Sequence, residues 1–180
     1  MKVDLKAMTL EELWELFPIV LAEHSPMWAE WAREEIDFLS GLLSPCSPVI
    51  NHIGSTAITN IKAKPIVDIL VEVADNVDWR QIKEVMETHG YICMSESANR
   101  ISFNKGYTPA GYAEKVFHIH FHRIGDNDEI LFRDYLSLHP DAAGAYERLK
   151  VSLLPKYKND RDGYTAAKSA FISKILTQAK

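Results

Sequence analysis

Cysteine is scarce. Cys46 and Cys93 are the two in 180 residues, far apart and in no metal-binding or redox spacing, so both read as free thiols. That excludes a disulfide-stapled secreted scaffold and suits a reducing cytoplasm. Long apolar runs are absent too: no stretch approaches the roughly 20 residues that span a bilayer, so no membrane partner is expected. The opening segment MKVDLKAMTLEELWELF is acidic and lacks the apolar core of a secretory signal. Positive charge is not in excess either. The formal net charge of −5 supplies no field to draw in a nucleic acid polymer or an anionic membrane. There are no internal repeats and no low-complexity segments. What remains is ordinary globular composition, 47% apolar and 25% charged, at a length that fits one domain with a sizeable core.

Thr9 followed by Glu12 has the form of a capping box opening a short helix through Phe17. Pro18 stops it, and IVLA (19–22) is expected as a short strand. SPMWAEWAREEIDFLSGLL has helical spacing, with Trp28, Trp31, Ile36, Leu39 and Leu42 or Leu43 as its inward stripe. VINHI (49–53) reads as a strand running into Gly54, and KPIVDILVEV (64–73) as a second, largely buried one. Asp75 or Asn76 caps a helix over 78–89, ended by Gly90. YICM (91–94) and ISFN (101–104) are short strands, the second followed by a KGYTPAGY loop. VFHIHFHRI (116–124) alternates cleanly as a strand. After it come three helical stretches, EILFRDYLSLH, DAAGAYERLKVSLLPKY and GYTAAKSAFISKILTQA. The fold class expected is α/β (α+β): one domain over 1–180, a mixed-sheet core over about 19–125 and a C-terminal helical part over about 127–180.

Two groups of residues carry chemistry. Gly54-Ser55 leaves a strand and, if it turns into a helix, aims backbone N–H groups and a hydroxyl at an anion such as phosphate. Downstream, Asp68 puts a carboxylate in an otherwise apolar strand, where it could hold a metal ion bridging to that phosphate. Phosphoryl and nucleotidyl transfer need both parts, because charge neutralisation and alignment do most of the catalysis. His118, His120 and His122 alternate on one strand and so share a face. Two histidines at i and i+2 can reach one transition metal. Equally, such a face can be half-buried imidazoles bonded to neighbouring carbonyls, the reading kept for His122. Tyr164 and Lys168 lie one helical turn apart and read as surface packing. Ser55 lacks the Gly-x-Ser-x-Gly elbow of a nucleophile.

Four stretches carry a resemblance: HIGSTAITNIKAKPIVDILVEV (52–73), RISFNKGYTPAGYAEKVFHIHFHRIG (100–125), LFRDYLSLHP (131–140) and DRDGYTAAKSAFI (160–172). They resemble the GrpB-like family, proteins similar in fold to the nucleotidyltransferases related to DNA polymerase beta. The likeness runs from about residue 19 to the C-terminal helix. It implies a nucleotidyltransferase-like core and a metal-dependent transfer onto a small-molecule acceptor. Its pattern is Gly-Ser, then acid, apolar, acid on one strand, the two acids about 6.6 Å apart on one face. Two metal ions about 3.5–4 Å apart fit between them. Asp68 occupies the first acidic place, but Leu70 occupies the second, and Glu72 lies about 13 Å from Asp68 along the strand. The resemblance places His118 or His120 in the region of the third acid, facing Asp68.

The candidate site therefore comprises Asp68 and His120 as catalytic residues and Asp68, His118 and His120 as metal ligands. Gly54, Ser55, Lys105 and Arg100 are the phosphate-binding set, with Arg133 and His52 beside it. One carboxylate with two imidazoles favours manganese or zinc over magnesium. A nucleoside triphosphate is the expected substrate. Alternatives are a catalytically inactive nucleotide- or metabolite-binding module, for which Leu70 argues, and a zinc-type hydrolase built on the His-x-His strand.

Overall fold

The computed structural model describes residues 7–180; the reading of residues 1–6 lies outside them. The capping box forms as the sequence dictates. Glu12 donates its backbone N–H to Thr9 Oγ1 at 3.2 Å, Thr9 donates its own to Glu12 Oε2 at 2.8 Å, and α1 runs Leu10–Leu16. IVLA does not become a strand; it makes one isolated bridge, Ala22 with Ala63. Helix α2 (Met27–Leu42) follows, burying Trp28, Ala32, Glu35 and Leu39. Then come β1 (Val49–Ile53), β2 (Val67–Val73) and α3 (Trp79–Thr88), capped by Asp78 rather than Asp75 or Asn76.

The sheet is completed by β3 (Ile92–Glu96), β4 (Arg100–Thr108) and β5 (Gly111–Arg123), in the order β1-β2-β5-β4-β3. Only the central pair, β2 with β5, is parallel. KGYTPAGY is thus not a free loop: both strands continue through it into a tight hairpin. The register shifts between Lys105 and Tyr107, at Gly106 with φ +91°. A Cβ there would sit 2.3 Å from the Lys115 carbonyl oxygen, so only glycine fits this irregularity.

Strand alternation sorts the two faces. Val67, Ile69, Val71 and Val73 of β2 pack with Phe103, Phe117, Ile119 and Phe121 against α2 and α3. At roughly 1.5–3 kcal/mol per fully buried side chain, this layer dominates the favourable side of folding. The opposite face carries Asp68 and Glu72 beside His118, His120 and His122, in register Asp68 with His118 and Glu72 with His122. Over it lie α4 (Asp128–Leu138), α5 (Pro140–Tyr157) and α6 (Arg161–Ala179), joined by a second core of Ile58, Ile61, Phe132, Leu136, Tyr146 and Ile175. The mixed α/β class and the three C-terminal helices agree with the sequence. Among the described residues no helix is long and apolar enough to cross a membrane.

Candidate functional site

Where the polar sheet face meets the C-terminal helices there is a cavity of about 540 Å³, lined among others by Gly54, Ser55, Asp68, His118 and His120. Adjacent parallel strands bring the acid and the imidazoles together. Asp68 Oδ1 lies 3.1 Å from His120 Nε2 and 3.5 Å from His118 Nδ1. One ligand atom from each of the three lies within 4.8 Å of the others. A tetrahedral ion with bonds of about 2.0–2.1 Å separates its ligand atoms by roughly 3.3–3.4 Å, close to the two contacts Asp68 makes with the imidazoles, so the three groups could hold a metal ion.

Burial works against charge on Asp68, but hydrogen bonds from His118 and His120, with their charge, outweigh it and hold the carboxyl well below the usual range. Burial pushes His118 down, with Asp68 opposing. The hydrogen-bond network also orients that ring. Arg161 Nη1 donates to Tyr107 Oη at 2.8 Å, and His118 Nε2 lies 2.8 Å from the same oxygen, which can accept the Nε2–H and leave the Nδ1 lone pair free to ligate. The Nδ1 of His118 thereby faces Asp68. Burial raises the Tyr107 phenol to about 12, and it stays protonated.

Gly54 frames the other side. It adopts φ +72° and ψ −172°, a region open essentially to glycine. A Cβ there would lie 2.6 Å from Asp68 Oδ2, so glycine is needed for the acid to sit where it does. The bend continues into a 3₁₀ turn, Ser55–Ala57, not the helix expected. Three residues carry no macrodipole of consequence, and what the bend offers an anion is amide and hydroxyl donors.

The basic residues are rearranged relative to expectation. Lys105 is not in the cavity. It shares strand parity with Ile101 and Phe103, points at α2, and pairs with Glu35 Oε1 at 2.8 Å. Arg100 is also elsewhere: two hydrogen bonds of 2.7 and 2.6 Å tie it to Asp126. Arg133 bonds Asp134 and the His52 carbonyl. His52 bonds Thr56 Oγ1 at 2.9 Å, and burial drops its imidazole to about 4. His122 is buried, its Nδ1 2.7 Å from the Asp126 carbonyl, the carbonyl-bonded arrangement expected for it.

The cationic wall comes from lysines outside the phosphate-binding set expected from the sequence. Lys64, before β2, Lys150 on α5 and Lys168 on α6 all line the cavity. Tyr164 is buried, with Lys64 and Lys168 5.8 and 4.6 Å from its ring centre, so Tyr164–Lys168 is part of the site and not surface packing. Among the described residues the ion-paired lysines are Lys62, Lys83, Lys105, Lys115 and Lys180. The three in the cavity have no carboxylate partner; Lys150 Nζ donates to the Lys62 carbonyl. Burial, reinforced by neighbouring lysine charge, lowers Lys150 to about 7 and Lys168 to about 8. Burial lowers Lys64 as well, with Asp68 opposing. Three desolvated, unpaired ammonium groups are costly in the absence of an anion.

The description GrpB protein matches residues 18–178. A UPF0157 protein of Pseudomonas aeruginosa is 34% identical over 86% of this chain and 64% of its own length. The UPF0157 protein YqkA of Bacillus subtilis is 32% identical over 95% and 51%; the chain thus spans between half and two thirds of these relatives. The glutamate-rich protein GrpB of Alkalihalophilus pseudofirmus is 33% identical, with 89% of this chain and 95% of that one covered. Among solved structures, GrpB of Enterococcus faecalis superposes with a TM-score of 0.73 at 32% identity, covering 89% and 96%. The Cid1 poly(U) polymerase, in a mutant bound to MgATP, gives 0.51 at 16% identity over 82% of this chain and 46% of its own. At that identity the likeness shows the fold, a nucleotidyltransferase-like one. Relatives that align along nearly the full chain, in sequence and in space, make this chain a member of the GrpB protein family.

Proposed function

We propose that the protein binds a nucleoside triphosphate with a divalent metal and transfers the nucleotidyl group to a small hydroxyl-bearing acceptor. The observation that carries this is a division of labour across one cavity. Asp68, His118 and His120 gather on the sheet side, three unpaired lysines stand on the helical side, and the Gly54-Ser55 bend is part of the same lining. A polyphosphate chain needs both walls, because its charge is spread over several phosphates. Cid1, which shares the fold, has been solved with MgATP and MgGTP, and the cavity here suits a ligand of that chemistry.

A metal held by Asp68, His118 and His120 would supply charge neutralisation and polarisation of the reacting phosphate. Lys64, Lys150 and Lys168 would hold the outer phosphates, and Ser55 with its amides the bend of the chain. In the transfer, the acceptor's hydroxyl oxygen bonds to the α-phosphorus and the bond to the bridging oxygen breaks. Pyrophosphate leaves with that electron pair, held by the lysines. The hydroxyl proton goes to water, which reaches the partly exposed Asp68 and His120.

The test is thermal unfolding with ATP, GTP, CTP or UTP and manganese. At a hundredfold excess over Kd the gain is about 2.7 kcal/mol, a rise of roughly 5–10 °C at this size. Asp68→Ala removes it. No rise with any nucleotide and manganese, magnesium or zinc eliminates the reading. Leu70, fully buried where the fold's second acid stands, favours one other reading, a binding module without turnover. Nucleotide bound and recovered unchanged after long incubation with candidate acceptors selects it.

A further inference from the structure

A second hollow of about 400 Å³ lies beside the first, between α1 and the β3–β4 edge. Its walls are apolar: Leu13, Trp14 and Phe17 from α1 and the residue after it, Ile92 and Met94 from β3. That volume falls in the range of small-molecule sites. Three features separate it from a gap in packing. Arg161 and Asp162 line both hollows, so the two adjoin at the start of α6. Arg161 Nε is buried without a hydrogen-bond partner, although its other nitrogens donate to Tyr107 and Tyr112. Asn104 stands in the wall at 8% exposure, and its side-chain amide, with no hydrogen bond among the described residues, stays open to the hollow.

A buried, unpartnered donor such as Arg161 Nε is costly unless something completes it. An amide that both donates and accepts matches the edge of a heteroaromatic ring, and the aromatic walls of Trp14, Phe17 and Tyr107 match its faces. Tyr107 also ties the hollow to the chemistry, since its hydroxyl bonds His118. We infer that this hollow seats the acceptor, a flat heteroaromatic alcohol whose ring edge meets Asn104 and whose hydroxyl passes Arg161 toward Asp68. Calling the occupant an acceptor rests on the transfer reading above; that a flat heteroaromatic alcohol binds here does not.

Saturation-transfer NMR with pyridoxine and 4-(hydroxymethyl)imidazole as probes, and cyclohexylmethanol as the non-planar control, tests it. The wild type should give signals for both flat probes and little for the control. Met94→Trp fills the hollow from a position 57% exposed, and Leu10→Trp fills it from the opposite wall, 52% exposed. Each should cut the probe signal at least fivefold while keeping the wild-type melting shift with ATP and manganese. Absence of signal from either flat probe, or signal unchanged in both filled variants, overturns the proposal. Probes that bind and are displaced by filling, in a protein that no nucleotide stabilises, leave the aromatic seat standing and overturn its role as acceptor site.

Discussion

Replacing Gly54 by alanine tests the geometry on which the site depends. The residue sits at φ +72° and ψ −172°, where a side chain costs of order 1–3 kcal/mol. The added Cβ would also come within 2.6 Å of Asp68 Oδ2 and 3.0 Å of Asp68 Cβ, and a contact to a Cβ is not relieved by rotating a flexible chain end. The carboxylate must therefore move, and the 3.1 and 3.5 Å contacts to His120 and His118 go with it. At about 2–4 °C per kcal/mol for a chain of this size, melting should fall by roughly 2–12 °C. Zinc or manganese affinity, read by titration calorimetry, should fall more than tenfold. Gly41→Ala is the control: it lies in α2 with nothing within 4 Å of a new Cβ, and should stabilise by up to about 1 kcal/mol. A Gly54→Ala protein that melts within about 1 °C of the wild type and binds metal undiminished would refute the reasoning.

The lysine wall predicts proton uptake on anion binding. Lys150 is lowered by burial to about 7, with Lys168 and Lys64 adding to the shift and Glu147 opposing it; Lys168 is lowered by burial to about 8. Both sit below the free-lysine value, so between about pH 7 and 10 the unfolded chain holds more protons and stability rises with pH. Bound pyrophosphate favours the charged forms, so at pH 8 binding should take up on the order of one proton and weaken toward pH 9. Calorimetry in two buffers of different ionisation enthalpy measures this, and heats independent of buffer contradict it. Tyr107→Phe removes the hydroxyl that orients His118. It should cost about 10–100-fold in metal affinity and, because Arg161 Nη1 loses its acceptor too, about 1–3 kcal/mol of stability; titration calorimetry that finds undiminished affinity speaks against the orientation argument.

The sequence carried the sheet side of the site and little of the helical side. HIHFH is legible because a period of two has one structural meaning, and Asp68 because a lone acid in an apolar strand stands out. Lys105 was misplaced although its signal existed: Ile101, Phe103 and Lys105 share parity, and the first two mark the core face. Parity also hides what Gly106 does, since Tyr107 reaches His118 on the opposite face only after the register shifts there. Arg100 looked available because its partner, Asp126, comes from the turn after β5. Lys150 had no local signal, and the one-turn spacing of Tyr164 and Lys168 is equally that of surface packing; both lysines meet Lys64 through the packing of α5 and α6 over the sheet, which no spacing records.

Leu70 explains why the polar face divides into two parts with different fates. Beyond it, Glu72 is buried and accepts from the Gly125 N–H at 2.9 Å and Asn127 Nδ2 at 3.1 Å. His122 lies in the same layer, bonded to the Asp126 carbonyl. That end of the face is occupied by the protein's own turn, and Glu72 lies about 13 Å along the strand from Asp68, too far to share an ion with it. The open end keeps a single carboxylate and makes up the donor set with imidazoles. Oxygen-only cages suit magnesium, whereas one oxygen and two nitrogens shift preference toward zinc or manganese. Under the proposed function, Leu70 in the place of an acid would shift the ion preference toward zinc or manganese, and the lysines on α5 and α6 stand apart from that change.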